Sequence, residues 1–294
     1  MPEEKNQKQP RKKIGLALGG GGAKGLAHIG VIKALEKAGI PIDFIAGTSM
    51  GALVGAWYAV TKNIVFLENI FLKITKSDLF PPQKLEEEQK GIFFKNENIA
   101  KFLKLEFDGK EFKQSSIPFA AVATDVNTGQ EVIFKEGQIK DAVEASIAFP
   151  IIFKPIEVNG QMLMDGGLSN PVPADVVREM GADFVLAVDV SSRWINFSDG
   201  SVTQSNMHEI LNKAFVALEY QIAQKTLKQA DIVLRPSVLP YSWLDFSEAQ
   251  EIIKAGFREA ERNLGEIRKK SGYRKREPKT VLEAISNFLN EERL

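Results

Sequence analysis

Residues 47–51 read Gly47-Thr48-Ser49-Met50-Gly51, a serine held between glycines where one apolar run gives way to another. Phe44-Ile45-Ala46 has the character of a strand end, and Ala52-Leu53-Val54-Gly55-Ala56-Trp57 suits a buried helix. A G-x-S-x-G motif in that setting forms a tight strand-to-helix elbow. Its backbone is so cramped that only glycine fits beside the serine, and it lifts the hydroxyl clear of the sheet over a helix N-terminus. The chemistry this suits is nucleophilic attack by Ser49 on an acyl carbonyl.

A serine nucleophile of the triad type needs a histidine base, placed after the acid in the α/β-hydrolase chain order. The chain has two histidines, His28 and His208. His28 precedes Ser49 within an apolar helical pattern and reads as a packed or hydrogen-bonded core residue. His208 lies in the polar stretch Ser205-Asn206-Met207-His208-Glu209, a helix start, and reads as a surface residue. A triad would require His208 to enter the site; otherwise the base is not histidine. The pair also lacks the spacing and carboxylate neighbours of a metal site.

A second feature is the glycine loop. Strand-like Ile14-Gly15-Leu16-Ala17-Leu18 runs into Gly19-Gly20-Gly21-Gly22-Ala23-Lys24-Gly25, followed by the helical spacing Leu26, Ile29, Val31, Ile32, Leu35 and a C-terminal Gly39. Bare backbone N–H groups beside a positive helix end receive an anion, either a phosphate or the oxyanion of a tetrahedral intermediate. Gly20, Gly22 and Gly25 also fit G-x-G-x-x-G, but the ribose-binding acid of a dinucleotide fold is missing: the second strand ends in Gly47-Thr48-Ser49 and Asp43 stands at its start. There is no Gly-Lys-[Ser/Thr] for a Walker loop. Lys24 is either a cation for the same anion or, as is commoner for a lone lysine, a solvated side chain.

Downstream, Val158-Asn159-Gly160-Gln161 reads as a hairpin turn that delivers Asp165-Gly166-Gly167 at a strand end. An aspartate before glycines is by itself a common turn former, and so is Asp125 in Thr124-Asp125-Val126-Asn127-Thr128-Gly129. The glycine loop, the elbow and Asp165-Gly166-Gly167, in that order, resemble the patatin-like phospholipase family, with bacterial members also similar at Ala123 to Gly129, at Ala145-Ser146-Ile147-Ala148-Phe149-Pro150 and at Ser242-Trp243-Leu244-Asp245-Phe246. The likeness spans roughly residues 14–260. It implies a Ser–Asp dyad, with Ser49 as nucleophile and Asp165 as general base, and an oxyanion hole built from Gly20, Gly21 and Gly22. Gly25, Gly47, Gly51, Gly166 and Gly167 complete the motifs. Where the family often carries arginine in the loop, this chain has Lys24, which leaves the backbone donors intact. The implied substrates are phospholipid, lysophospholipid or another fatty acyl ester, and the mechanism implied needs no metal or cofactor.

These residues require a frame. Strand and helix patterns alternate, with further strands at Phe119 to Thr124, Phe184 to Val190 and Asp231 to Arg235, so the expected fold is α/β: a central, mostly parallel sheet flanked by helices, in the patatin-like layered form. The expected organisation is a basic disordered tail (1–13), a catalytic core (14–197) and a C-terminal strand and helices packed on the same domain (198–294). Within the core, residues 64–107 form a helical insertion, broken at Pro81-Pro82, that suits a lid or acyl-chain wall. Its Phe66, Leu67, Ile70, Phe71 and Ile74 share one helix face and serve either core packing or lipid contact.

Composition narrows the classes. The chain has 294 residues, 44% of them hydrophobic, a formal net charge of zero and no cysteine. Nothing in that balance suggests nucleic acid, and disulfides, a thiol nucleophile and cysteine metal sites are excluded. The first thirteen residues lack the apolar stretch of a signal peptide, and no apolar run is long enough to span a bilayer, so a cytoplasmic protein is expected. Arg268-Lys269-Lys270 and Arg274-Lys275-Arg276, followed by an apolar face at Val281, Leu282, Ile285, Phe288 and Leu289, are either a solvated turn and a packed helix or a peripheral contact with anionic membrane. Two non-hydrolase readings stay open: a module holding phosphate or nucleotide in the glycine loop, and a catalytically silent regulatory adaptor.

Overall fold

The computed structural model describes residues 11–74, 78, 97–150, 152–191 and 207–273. Its sheet of eight strands runs in the order β5-β6-β3-β2-β1-β7-β8, with β4 also paired to β3. In chain order these are β1 (Ile14–Leu18), β2 (Phe44–Thr48), β3 (Phe119–Asp125), β4 (Glu131–Phe134), β5 (Ile156–Val158), β6 (Gln161–Asp165), β7 (Phe184–Val188) and β8 (Ile232–Leu234). β3, β2, β1, β7 and β8 are parallel, and β4, β5 and β6 add an antiparallel end. The expected α/β layered fold is therefore what the chain adopts.

The period-two alternation of β1 shows how the layers arise. Ile14, Leu16 and Leu18 join a large core on one side, whereas Ala17 joins the opposite one. The first core is filled by α1 (Ala27–Lys37), α2 (Met50–Thr61), α3 (Ile64–Phe71) and, late in the chain, α8 (Ala249–Ser271). The second face is built of small residues, Ala17, Ala46, Ala120 and Ala187, against which α6 (Ala174–Glu179) and the end of α7 (Met207–Thr226) pack. Both faces of the parallel strands are covered, which is why β1, β3 and β7 read as unbroken apolar runs. Among the described residues two more helices add to the first core: α4 (Glu97–Phe107) through Leu103 and Phe107, and α5 (Ile139–Ser146) through Ile139, Ala142 and Val143.

α1 and α8, more than 200 residues apart in sequence, touch backbone to backbone. A Cβ on Gly30 would collide with the Ile253 carbonyl, and one on Gly256 with the carbonyl of Ala27. The contact fixes the helix that carries the glycine loop, because Ala27 opens α1 directly after the turn Gly22–Leu26.

The hairpin expected at Asn159-Gly160 is present, with φ of 52° and 80° as a two-residue primed turn requires. Asp125 is an Asx turn: its Oδ1 accepts from the backbone N–H groups of Asn127 and Thr128, both at 2.9 Å. The stripe on α3 divides its roles. Leu67 is fully buried in the core, while Phe66 is 51% exposed and stacks on Trp57 with ring centroids 5.7 Å apart. β8 pairs with β7, so a C-terminal strand does extend the sheet.

Of the C-terminal cations, Arg268 donates to the Ala38 carbonyl at 3.1 Å, and Lys270 pairs with Glu266 at 2.8 Å. Arg274 to Arg276, the apolar face beyond them, the tail 1–10 and Pro81-Pro82 lie outside the described residues. Among the described residues no helix is long and apolar enough to cross a membrane.

Helix propensity alone favours Gly256→Ala by about 1 kcal/mol. The α1 contact opposes it, because overpacking costs about 1–3 kcal/mol and the obstacle here is backbone. We expect a net destabilisation of up to about 2 kcal/mol in urea titration, whereas Gly265→Ala on the same helix, with open space at its Cβ, should be stabilising.

Candidate active site

β2 and β6 flank β3, and the pairing register decides what meets there. Thr48 lies opposite Val122 in the parallel pair, and Asp165 lies opposite Ala123 in the antiparallel pair. The residue after Thr48 and the last residue of β6 thus arrive at the same level of β3. Ser49 Oγ donates to Asp165 Oδ2 at 2.6 Å across 116 residues of sequence. The meeting point is at the C-terminal ends of the parallel strands, where open α/β sheets form their binding crevices.

The elbow has the expected geometry. Ser49 holds φ 55° and ψ −125°, a conformation sparsely populated by side chains other than glycine, and it caps α2. A Cβ on Gly47 would strike the Gly51 carbonyl, and one on Gly51 would strike that of Leu18. Both motif glycines are therefore required by close backbone approach rather than by their own dihedral angles. The Ser49 N–H donates to Ser146 Oγ at 2.9 Å, and the buried Ser146 hydroxyl donates in turn to the Val122 carbonyl at 2.6 Å. Ser146 clamps the strained elbow to β3. Its only signal in the sequence was its place inside Ala145 to Pro150.

Asp165 is 1% exposed. Its Oδ1 accepts from the Gly167 N–H at 2.8 Å, and its own N–H donates to the Ala148 carbonyl at 3.0 Å. Thr124 Oγ1 donates to the Asp165 carbonyl at 2.9 Å. Burial pushes the carboxyl up to about 6, against the downward pull of its bonds from Ser49 and Gly167. A carboxyl ionising there is charged at neutral pH and far more basic than a solvated aspartate. Gly166 is confined like the elbow glycines, since a Cβ would meet the Val122 carbonyl.

In the glycine loop the three expected donors differ. The Gly20 N–H donates to the Pro171 carbonyl at 3.0 Å, so it is engaged within the fold. Gly21 and Gly22 line the same cavity as Ser49, and their N–H groups have no acceptor among the described residues. Gly22 sits at φ 55°, where an added Cβ would also press on the Trp243 backbone. Lys24 is not solvated: it is 5% exposed, does not line the cavity, and lies near enough to Asp245 to feel its charge. Burial pushes its ammonium down to about 8.

His28 supports the loop from behind. Fully buried, it places Nε2 2.7 Å from the Gly19 carbonyl, and burial pushes the imidazole down to about 4, so the neutral ring donates there. α7 does begin at the polar stretch containing His208, whose side chain lies outside the described residues.

Above Ser49 and Asp165 is a cavity of about 230 Å³ whose lining is mainly apolar. Phe71 and Ile74 come from the end of α3 and the residues just after it, Ile99 and Phe102 from α4, and Phe149, Trp243 and Phe246 from later loops. The two described helices of the 64–107 segment therefore both contribute walls. Two further carboxyls stand on the wall, Asp78 and Glu219 of α7, and nothing in the local sequence pattern marks Glu219 as a site residue.

Replacing Ser146 with alanine removes the acceptor of the Ser49 N–H and a donor to the Val122 carbonyl. We expect a loss of about 1–3 kcal/mol in chemical unfolding. Ser169→Ala, which removes a partly exposed hydroxyl, should cost less.

Residues 16–178, more than half of the chain, match the family model described as patatin-like phospholipase. The patatin-like phospholipase domain-containing protein ZK370.4 of Caenorhabditis elegans is 32% identical over 272 residues, covering 83% of this chain and 20% of that protein. Patatin-like phospholipase domain-containing protein 6 of Mus musculus is 31% identical with the same coverage, and lysophospholipase NTE1 of Meyerozyma guilliermondii is 31% identical over 83% of this chain and 19% of its own length. The chain thus spans about a fifth of these curated relatives. Among solved structures, VipD from Legionella pneumophila gives a TM-score of 0.47 at 13% identity, covering 87% of this chain and 67% of that one. On the family match, and with the serine, aspartate and glycine motifs in one site, the chain belongs to the patatin-like phospholipase family.

Proposed function

We propose that the chain is a serine acyl-ester hydrolase acting on phospholipid, lysophospholipid or a related fatty acyl ester through a Ser49–Asp165 dyad. The observation that carries this reading is the 2.6 Å bond from Ser49 Oγ to a buried carboxylate at the floor of an apolar cavity. The names of the relatives, patatin-like phospholipases and a lysophospholipase, supply the substrate class.

In the proposed cycle Ser49 Oγ attacks the ester carbonyl carbon while its proton passes to Asp165 Oδ2. Gly21 and Gly22 donate backbone N–H groups to the oxyanion, each such donor being worth on the order of 3 kcal/mol. When the carbonyl re-forms, the ester C–O bond breaks and Asp165 returns the proton to the leaving alcohol. Water, losing a proton to Asp165, then attacks the acyl-serine carbonyl; the bond from Ser49 Oγ to the acyl carbon breaks, Asp165 returns the proton to Ser49 Oγ, and the fatty acid leaves. The alkyl chain lies between Phe71, Ile99 and Phe102, where apolar burial contributes about 0.8 kcal/mol per CH₂. Aspartate can do this work because burial brings it near the pH of operation.

Turnover of a p-nitrophenyl acyl ester and of a lysophospholipid tests the reading. Ser49→Ala and Asp165→Asn should each lose at least about 10³-fold in kcat/KM, while His208→Ala keeps its activity. In the wild type kcat/KM should rise with pH through about 6, as Asp165 loses its proton and becomes able to accept one. Full activity in Ser49→Ala, or its loss in His208→Ala, contradicts the dyad.

Peripheral contact with an anionic membrane is a second part of the proposal, and it rests on the basic run from Arg268 to Arg276 with the apolar face that follows. Removing residues 278–294 should weaken co-sedimentation with anionic vesicles and leave hydrolysis of a soluble ester unchanged. Equal sedimentation of both forms refutes it.

A further inference from the structure

Glu219 is an ionisable group in the site that the proposed cycle does not use. It projects from α7 onto the Gly166–Leu168 turn and lines the cavity together with Ser49 and Asp165. Its Oε1 lies against Gly167, on the spot a Cβ would take, and Asp165 Oδ1 stands only 3.2 Å from that same spot. Two carboxyls therefore meet at one glycine. Asp165 has donors for both oxygens, Ser49 for Oδ2 and Gly167 for Oδ1. Glu219 has neither a hydrogen-bond donor nor a cation beside it among the described residues.

Other charges do not compensate. Among the described residues the remaining ionisable side chain on the cavity wall is another acid, Asp78. The turn Gly166–Leu168 that α7 packs against carries no ionisable side chain. Lys24 and Asp245 sit behind the glycine loop, off the cavity wall. On α7 itself Tyr220 and Lys225 are turned to other faces by their offsets of one and six residues.

We propose that Glu219 is a positioning residue that keeps its proton throughout the reaction, so that Asp165 carries the single negative charge at the dyad. The inference rests on the dyad reading. Like charges at this spacing in an apolar surround oppose each other, and Asp165, with two donors, is the one that ionises first. Burial, with the charge of Asp165 added, pushes Glu219 up to about 8. Glu219 exchanges no proton with Ser49 or the substrate. Once it ionises, its charge opposes the oxyanion and makes Asp165 slower to return its proton to the leaving alcohol, so acylation falls at high pH.

The test is the rate of covalent inactivation by an alkyl fluorophosphonate between pH 5 and 10, with kcat and KM for a soluble acyl ester measured alongside. Wild type should show a bell, rising through about 6 and falling through about 8, the fall reaching at least about tenfold by pH 9.5 and residing in kcat rather than KM. Glu219→Gln should keep the rise and lose the fall. Lys24→Met is the control, because Lys24 also ionises near 8, and it should keep the fall. If Glu219→Gln does not fold, Glu219→Leu, also neutral, replaces it. A wild-type rate that stays flat from pH 7 to 10 overturns the inference, as does a fall that survives in the Glu219 variants or vanishes in Lys24→Met. Inactivation of Ser49→Ala at the wild-type rate would instead overturn the dyad reading, so the two failures are distinguishable.

Discussion

A carboxylate buried beside a serine is the constraint on which the rest of this structure depends. Removing Asp165 from water disfavours its charge, and without compensation it would stay protonated and useless as a base. The fold answers with two charge-directed donors, the Ser49 hydroxyl and the Gly167 N–H, and with two bonds that hold the aspartate backbone, to Ala148 and from Thr124. The compensation is partial, which leaves the carboxyl ionised at neutral pH yet raised to about 6. In the proposed mechanism such a carboxylate takes the part that a triad gives to histidine. His28, the histidine nearest the site in sequence, is kept neutral and serves the glycine loop through the Gly19 carbonyl.

Reaching that arrangement demands close backbone approach at several points, and each is met by glycine. Gly47 and Gly51 let the elbow turn against Leu18 and against itself, and Gly166 lets the segment after Asp165 lie on Val122. Gly30 and Gly256 seat the helix that follows the loop. The positive φ of Ser49 is strain stored in the one place where an exposed hydroxyl is needed, and Ser146 holds it there. The antiparallel end of the sheet has a definite purpose in this scheme: β6 enters against β3 in the register that brings its last residue level with the end of β2.

Much of this was legible in the residues, and the parts that were not share a cause. The elbow, the Asn159-Gly160 turn, the Asx turn at Asp125 and the continuous apolar strands are local: their dihedral demands or periodicity are written in consecutive residues. The pairing of Ser49 with Asp165 was legible through motif order rather than through distance, since nothing local says that residues 116 apart will touch. What stayed hidden depends on contacts between remote segments. Gly20 looked equivalent to Gly21 and Gly22 until its N–H was seen to be held by Pro171. Lys24 looked solvated because its burial is imposed by distant parts of the chain. Glu219 looked like any helical glutamate, because the turn it meets lies some fifty residues earlier.

The central claim, that Ser49 is a nucleophile served by Asp165 and by the loop amides, is tested most directly by the crystal structure of the protein after reaction with a long-chain alkyl fluorophosphonate. We expect one adduct, on Ser49 Oγ, with the phosphonyl oxygen within hydrogen-bond distance of the Gly21 and Gly22 N–H groups and the alkyl chain between Phe71 and Phe102. An adduct on another residue, or one whose phosphonyl oxygen points away from the glycine loop, would contradict it.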